Sequence, residues 1–367
     1  MNEKILCANP RRQFVTQSEE IENAISRVLK SDFYVLGSEV DNFEKEFANY
    51  CGSSACIGVN SGTDALILSL RAIGVGSGDE VITPSHTAVA TVAAIVNCGA
   101  TPIFVDVDPI SFTIDASLIS QAVTSRTKAL IVVHIYGHPC DMNSVMEVAQ
   151  THNIYVVEDC AQAHGAEWNG KKVGTFGIVG CFSFYPTKNL GAIGDGGAVV
   201  TNDPVIAERI RALRQYGWDS NRVSIEPSGI SRLDEIQAAI LRVKLPQLNI
   251  QNERRRAIAT AYRERLLQVN MVLPTERPGV KHAYHLFVVR IKNRESVILH
   301  LNSLGIFPGI HYPLPVHLHP SYTRFAPLDL GALKVTESLS KEILSLPMFP
   351  ELNDSEIERV CEGVLSV

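Results

Sequence analysis

The sequence predicts an α/β protein: a mostly parallel sheet covered on both faces by helices, followed by a smaller α+β region. Three observations carry this. Short apolar runs alternate with helix-spaced stretches between residues 55 and 160, the signature of βα units. One run, Ala129–His134, is almost wholly apolar, as a strand buried on both faces must be. A long helical stretch, Arg232 to about Leu267, is interrupted at Pro246, and the βα alternation gives way after it.

In chain order, residues 14–31 and 38–50 carry helical spacing, with Ile21, Ile25, Val28 and Leu29 on one face. Ala55–Val59 is a strand, and Ser61–Gly62–Thr63–Asp64 opens a helix to about Ile73. Glu80–Thr83 and Thr101–Val105 are strands, with a helix over His86–Asn97 between them. A helix over 142–152 leads to the strand Ile154–Val157, which ends in Glu158–Asp159. Phe182–Tyr185 suits a short strand. Pro186 ends it, because proline cannot donate a ladder hydrogen bond. Ala198–Thr201 is the next strand and 204–214 a helix; Gly217–Gly229 is irregular. Beyond Pro246 the sequence predicts strands over His282–Ile291 and Gly309–Tyr312. Helices are expected at 294–304, about 336–345 and 354–365, and 313–320 is a proline- and histidine-rich loop. The expected domains are 1–246 and 247–367.

The bulk composition narrows the function classes. The chain has 367 residues, 46% hydrophobic and 20% charged, as a globular enzyme would. A net charge of −6 gives no basic surface for nucleic acid. No apolar run reaches the length of about 18 residues that suggests a membrane span. The first residues, MNEKILCANPRRQ, lack the apolar core of a signal peptide. Eight cysteines are scattered without a CxxC pair, so a reduced, cytoplasmic protein is expected.

The chemistry is expected at the carboxyl ends of the strands, where open α/β sheets bind ligands. Gly62 and Thr63 stand at a strand end and a helix start, a position that favours a phosphate and equally serves as an ordinary N-cap. Asp159 ends a buried strand and can pair with a cationic ring nitrogen, or cap the next turn. Gln162 can reach a neighbouring ring oxygen. Ser183 can bond a phosphate. Lys188 follows on a connection rich in glycine (Gly191, Gly194, Gly196, Gly197). That layout suits a Schiff-base lysine, although a surface lysine on a hairpin has the same local pattern. Phosphate anchor, acidic ring partner and lysine together are what pyridoxal phosphate needs.

Five segments extend the pattern: SGTDAL, TPSHTAVATVAAI, VEDCAQAHGA, SFYPTKNLGAIGDGGAVVTND and SRLDEIQAAILRVKL. In these the chain resembles the DegT/DnrJ/EryC1/StrS family of sugar aminotransferases, over nearly its whole length. The resemblance implies the aspartate-aminotransferase-type fold (fold type I), with a small α+β C-terminal domain, and a homodimer with shared active sites. It implies Lys188 as the catalytic lysine and Asp159 as the partner of the ring nitrogen. Gln162 would meet the ring hydroxyl, and Gly62, Thr63 and Ser183 would hold the phosphate.

The form YPTKNLGA with YHLFVVR and HYPLPVHLHP most resembles enzymes that aminate 3-keto-6-deoxy sugars linked to dTDP, in deoxyamino-sugar biosynthesis for polysaccharide or O-antigen. L-Glutamate is the implied donor. A 4-keto nucleotide sugar or a keto-cyclitol is the alternative acceptor. Tyr185, Arg232, His311, Tyr312 and His317 are candidates for substrate contact, with Arg222 and His319 as further candidates. No metal is expected, since no Cys or Asp spacing supports one around these histidines. Two departures stand out. Ala88 occupies a position where many members carry an aromatic that stacks on the cofactor. His86 is the candidate replacement, with a helix-capping role as the alternative. Ile230 stands where many members have an asparagine.

Overall fold

The structure, a computed structural model, describes residues 4–329 and 331–367. Its centre is a seven-stranded sheet. In chain order its strands are β1 (Ala55–Val59), β2 (Glu80–Pro84), β3 (Thr101–Val105), β4 (Thr127–Val133), β5 (Tyr155–Asp159), β6 (Val179–Ser183) and β7 (Gly197–Thr201). Their order across the sheet is β1-β7-β6-β5-β4-β2-β3. All neighbours run parallel except β7, which is antiparallel to both β1 and β6. The carboxyl ends of β1 and β6 and the amino end of β7 therefore meet on one edge.

Alternation along each strand assigns its two faces. On one face Ile57, Ile131, Val157, Cys181 and Val199 pack under the helix Gly62–Ala72. On the other, Leu130, Val132 and Val156 meet the helix Met142–His152. The same period sorts the aromatic run. Phe182 and Phe184 are buried and stack edge-on against Phe43 and Phe47 of the helix Ser38–Cys51. Ser183 and Tyr185 are thereby turned to the opposite face.

The C-terminal region builds a second core. Strands Met271–Val272, Phe287–Ile291 and Ile343–Leu346 form an antiparallel sheet. The helices Leu248–Leu266, Arg294–Ser303 and Asp354–Leu365 supply the rest of that core. Strand Ile5–Leu6 pairs with Ile306–Phe307, so Ile5 belongs to this core despite its place in the chain. Pro246 lies in a single 3-10 turn, Leu245–Gln247, between the helices Glu235–Lys244 and Leu248–Leu266. Pro246 lacks the donor a continuous helix needs, and we propose dividing the chain there, at 246/247.

Several element bounds differ from expectation. The strand expected at Phe182–Tyr185 ends at Ser183, because Pro186 forces the chain off the ladder before Tyr185. The helix expected from His86 begins at Val89, since residues 85–87 turn inward to make side-chain bonds. Gly309–Tyr312 is no strand; only Gly309 forms a bridge, to Ser345. The expected helix to 345 stops at Glu342, where Ile343–Leu346 joins the small sheet. Tertiary pairing there overrides local helical spacing.

Candidate active site

The strand ends surround a cavity of about 240 Å³. The segment after β1 contributes Ser61, Gly62 and Thr63; that after β2, Thr87 and Ala88. β5 and its loop contribute Asp159 and Gln162, and β6 and its loop contribute Ser183, Tyr185 and Lys188. These come from four separate stretches of the chain, and the sheet brings them together.

Ser61 caps the helix Gly62–Ala72 by accepting from the Asp64 N–H. The N–H groups of Gly62 and Thr63 belong to the first turn and have no intrahelical partner. Gly62 is pressed against β6: a Cβ there would lie 2.6 Å from Ser183 Cβ. Only glycine lets the helix start approach Ser183 so closely. The result is an anion-ready corner of backbone N–H groups beside a serine hydroxyl.

Asp159 is buried at the end of β5. The Thr91 hydroxyl donates to one oxygen at 2.8 Å and the Ala161 N–H to the other at 3.1 Å. Thr91 is itself paired to Thr87, one helical turn away. Burial raises the Asp159 pKa; the two hydrogen bonds and the charge of Lys188 oppose that rise.

Lys188 is half-buried and reaches into the cavity, and its amine makes no hydrogen bond to any described residue. Burial lowers its pKa from the usual 10.5 to about 8, with Asp159 pulling the other way. The lysine loop is held from behind. Asn189 donates to Asn252 and to the Ala283 carbonyl and pairs with His285. Lys244 donates to the Gly191 carbonyl. Gly191 has no room for a side chain, since its Cβ would sit 2.5 Å from the Pro186 carbonyl oxygen.

Gln162 is fixed at both ends. Its carbonyl oxygen accepts from the Tyr136 N–H at 2.6 Å, and its amide donates to the Tyr312 hydroxyl at 3.1 Å. Tyr136 sits at φ 61°, a left-handed conformation uncommon outside glycine. Its hydroxyl donates to the His311 carbonyl and so accepts from His86 Nε2. His311 pairs with Ser345, and its pKa falls to about 4 through burial and the nearby Lys188 charge.

Other sequence candidates lie elsewhere. His86 is buried edge-on to Phe112 and Tyr136, outside the cavity lining. Its ring is committed to Tyr136, and Ala88 is the residue that borders the cavity. His317 is buried away from the site, pairing with Ser85 and lying near Glu337. Arg232 is half-buried, does not line the cavity, and has no polar partner among the described residues. Its neighbour Ser231 bonds Asn60, next to the Ser61 cap. Arg222 is exposed over Trp218. His319 bonds the Leu314 carbonyl.

Sequence reading missed Thr91, Asn189, Tyr136 and Lys244. Thr91 was visible in principle, because the helix expected from His86 would set it four residues after Thr87 on one face. A larger cleft of about 470 Å³ is lined by Asp108 and Arg277 among others. Its carboxylates Asp108, Asp115 and Asp141 accept from nearby backbone N–H groups or Arg277. The buried group His134, Glu158 and Cys160 is likewise engaged: Glu158 accepts from His134 and from the N–H groups of Gly174, Phe176 and Gly177.

Among the described residues, no helix is long and apolar enough to cross a membrane. Comparison with known proteins agrees with the geometry. A dTDP-3-amino-3,4,6-trideoxy-alpha-D-glucose transaminase of Streptomyces venezuelae is 48% identical over 94% of this chain and 91% of its own. A dTDP-3-amino-3,6-dideoxy-alpha-D-galactopyranose transaminase of Aneurinibacillus thermoaerophilus is also 48% identical, over 94% of both chains. The crystal structure of S. venezuelae DesV in complex with a ketimine intermediate superposes with a TM-score of 0.97. It is 44% identical and covers 100% of this chain and 98% of its own. The DegT/DnrJ/EryC1/StrS aminotransferase family matches residues 15–365, and the chain belongs to that family.

Proposed function

We propose that the protein is a pyridoxal-phosphate-dependent aminotransferase acting on a dTDP-linked 6-deoxyhexose. It moves the amino group of L-glutamate to the 3-keto carbon, giving a dTDP-3-amino-3,6-dideoxyhexose and 2-oxoglutarate. One observation carries the reading: a partly neutral lysine and a buried carboxylate share a cavity that ends in an open helix N-terminus. The relatives named for dTDP-3-amino sugars support the choice of acceptor.

The cavity suits the cofactor. The crowded Gly62–Ser183 corner with Thr63 would hold its phosphate, the desolvated Asp159 would face its ring nitrogen, and Gln162 its ring hydroxyl. When bound, the cofactor supplies an aldehyde that accepts amino groups and a cationic ring that draws electrons from the carbon losing its proton. Asp159 favours that positive ring, and a cation opposite Asp159 offsets the cost of its burial. Lys188, neutral for part of the time near pH 8, can attack as an amine. Once released, its Nζ would move a proton from the glutamate α-carbon to the cofactor's aldehyde carbon, and in the sugar half-reaction from that carbon to the sugar carbon. Tyr185, exposed at the cavity rim, with Tyr312 and His311, would orient the sugar or the donor. Arg232 is kept as a candidate for the nucleotide diphosphate.

A homodimer with shared sites belongs to this reading. Phe33, Tyr34 and Val35 are adjacent and 68%, 60% and 46% exposed, apolar surface that a second copy would cover. Neither nucleic acid nor membrane is part of it, and with eight free cysteines the cytoplasm is the proposed compartment. Incubation with glutamate and a panel of 3-keto and 4-keto dTDP-sugars and a keto-cyclitol tests the acceptor. Amination of the 3-keto sugar is expected; amination of only a 4-keto sugar or the cyclitol would overturn it.

A further inference from the structure

Lys188 borders two spaces. Besides the front cavity, it walls a chamber of about 20 Å³ shared with Gln13, Pro186, Arg255 and Glu351. That volume admits one water. Two buried polar atoms of its wall residues have no protein partner among the described residues: Arg255 Nε, a donor, and Glu351 Oε2, an acceptor. Buried groups of this kind are costly unless paired, and one water can serve both.

The charges around Glu351 are Arg255, Lys244 and Arg12. Arg255 gives Nη1 to the carbonyls of Tyr284, His285 and Met348. Lys244 donates to Gln13 and Gly191, and Arg12 clasps Glu356. Burial raises the Glu351 pKa against these cations, so its carboxylate takes up a proton more readily than an exposed one. Glu351 and Asn9 also line an outer cleft of about 560 Å³. Front cavity, Lys188, rear chamber, Glu351 and outer cleft thus form a series with shared walls.

We propose that Glu351 is the outer station of a rear proton route, through which Lys188 exchanges its proton with solvent while substrate fills the front cavity. The inference rests on the reading of Lys188 as the catalytic lysine. In the step, an N–H bond of the Lys188 ammonium breaks and the chamber water takes that proton. The water passes one of its own to Glu351 Oε2, and the carboxylic acid releases it into the outer cleft. No electrons change hands, and the reverse sequence restores the start.

The holoenzyme is incubated in D2O with protiated glutamate and carbon-labelled 2-oxoglutarate, so that each round trip of the amino group marks the glutamate formed. Mass spectrometry then reads hydrogen or deuterium at its α-carbon. An ammonium carries three hydrogens. A Lys188 sheltered from solvent while substrate is bound would return the original hydrogen in up to about one round trip in nine, about one in three for each of the two transfers; a Lys188 in exchange would return almost none. The wild type is expected to retain almost none, and Glu351→Gln to retain hydrogen toward that limit. High retention in the wild type, or equal retention in both proteins, overturns the proposal. A crystal structure of the cofactor-free wild type should show a water within hydrogen-bond reach of Arg255 Nε and Glu351 Oε2. A dry chamber overturns it whatever the variant does. Reductive trapping of the cofactor on a lysine other than Lys188 would instead remove the underlying reading.

Discussion

Lys188 and Asp159 share one cavity, and each supports the other's charge. Burial drives both toward neutrality: the Asp159 charge raises the lysine pKa and the Lys188 charge lowers that of the carboxyl. Removing either charge should therefore shift the titration of the other.

Lys188→Ala should lower turnover by about a thousandfold or more, the range of a lost general acid–base group. Borohydride reduction of the wild-type holoenzyme should fix the cofactor to the peptide carrying Lys188. An adduct elsewhere, or full turnover by the variant, contradicts the assignment.

In the cofactor-free protein, amine labelling of Lys188 should inflect near pH 8, where burial places its pKa. Asp159→Asn should move that inflection lower, because it removes the negative charge that favours the ammonium. An inflection that rises or stays put would show that Asp159 does not act on this lysine.

Lys188 and Lys244 both fall from 10.5 to about 8. Between those values the unfolded chain binds more protons than the folded one, so their contribution makes stability rise with pH over that window. Lys188→Met should flatten the rise in a urea titration series from pH 8 to 10.5. An unchanged slope would count against the depressed pKa.

Gly62→Ala should lower thermal stability and loosen the cofactor, since the added Cβ falls 2.6 Å from Ser183 Cβ. Overpacking of this kind costs about 1–3 kcal/mol. Fluorescence titration with the cofactor, beside a melting curve, checks both effects; unchanged affinity would show that the corner does not hold the phosphate.

Asn189→Ala should destabilise by about 1–3 kcal/mol, leaving buried partners at Ala283 and His285 unpaired. It should also lower kcat more than KM, because the lysine loop loses its rear brace. A change in KM alone would place Asn189 outside that role.

Much of the sheet was legible because Ala129–Val133 and Val156–Val157 are apolar runs that suit buried strands. Gly62, Asp159 and Lys188 were legible for a related reason: each lies just beside a strand end, so chain position nearly fixes spatial position. His86 and His317 were not. Their direction depends on partners far away in the chain, Tyr136 for one and Ser85 for the other. Lys244 and Asn252 brace a loop 53 and 63 residues earlier, and no local pattern announces such a bond. The strand Ile343–Leu346 was hidden because its spacing continues that of the preceding helix, and only the edge of Phe287–Ile291 turns it into sheet.

The bracing of the Lys188 loop by Asn252 and Ala283, and of His311 by Ser345, has a consequence during synthesis. Every cavity-lining residue, from Ser61 to Gly196, leaves the ribosome before the groups that fix the lysine loop. A nascent chain can thus form most of the sheet and still have a loosely held Lys188.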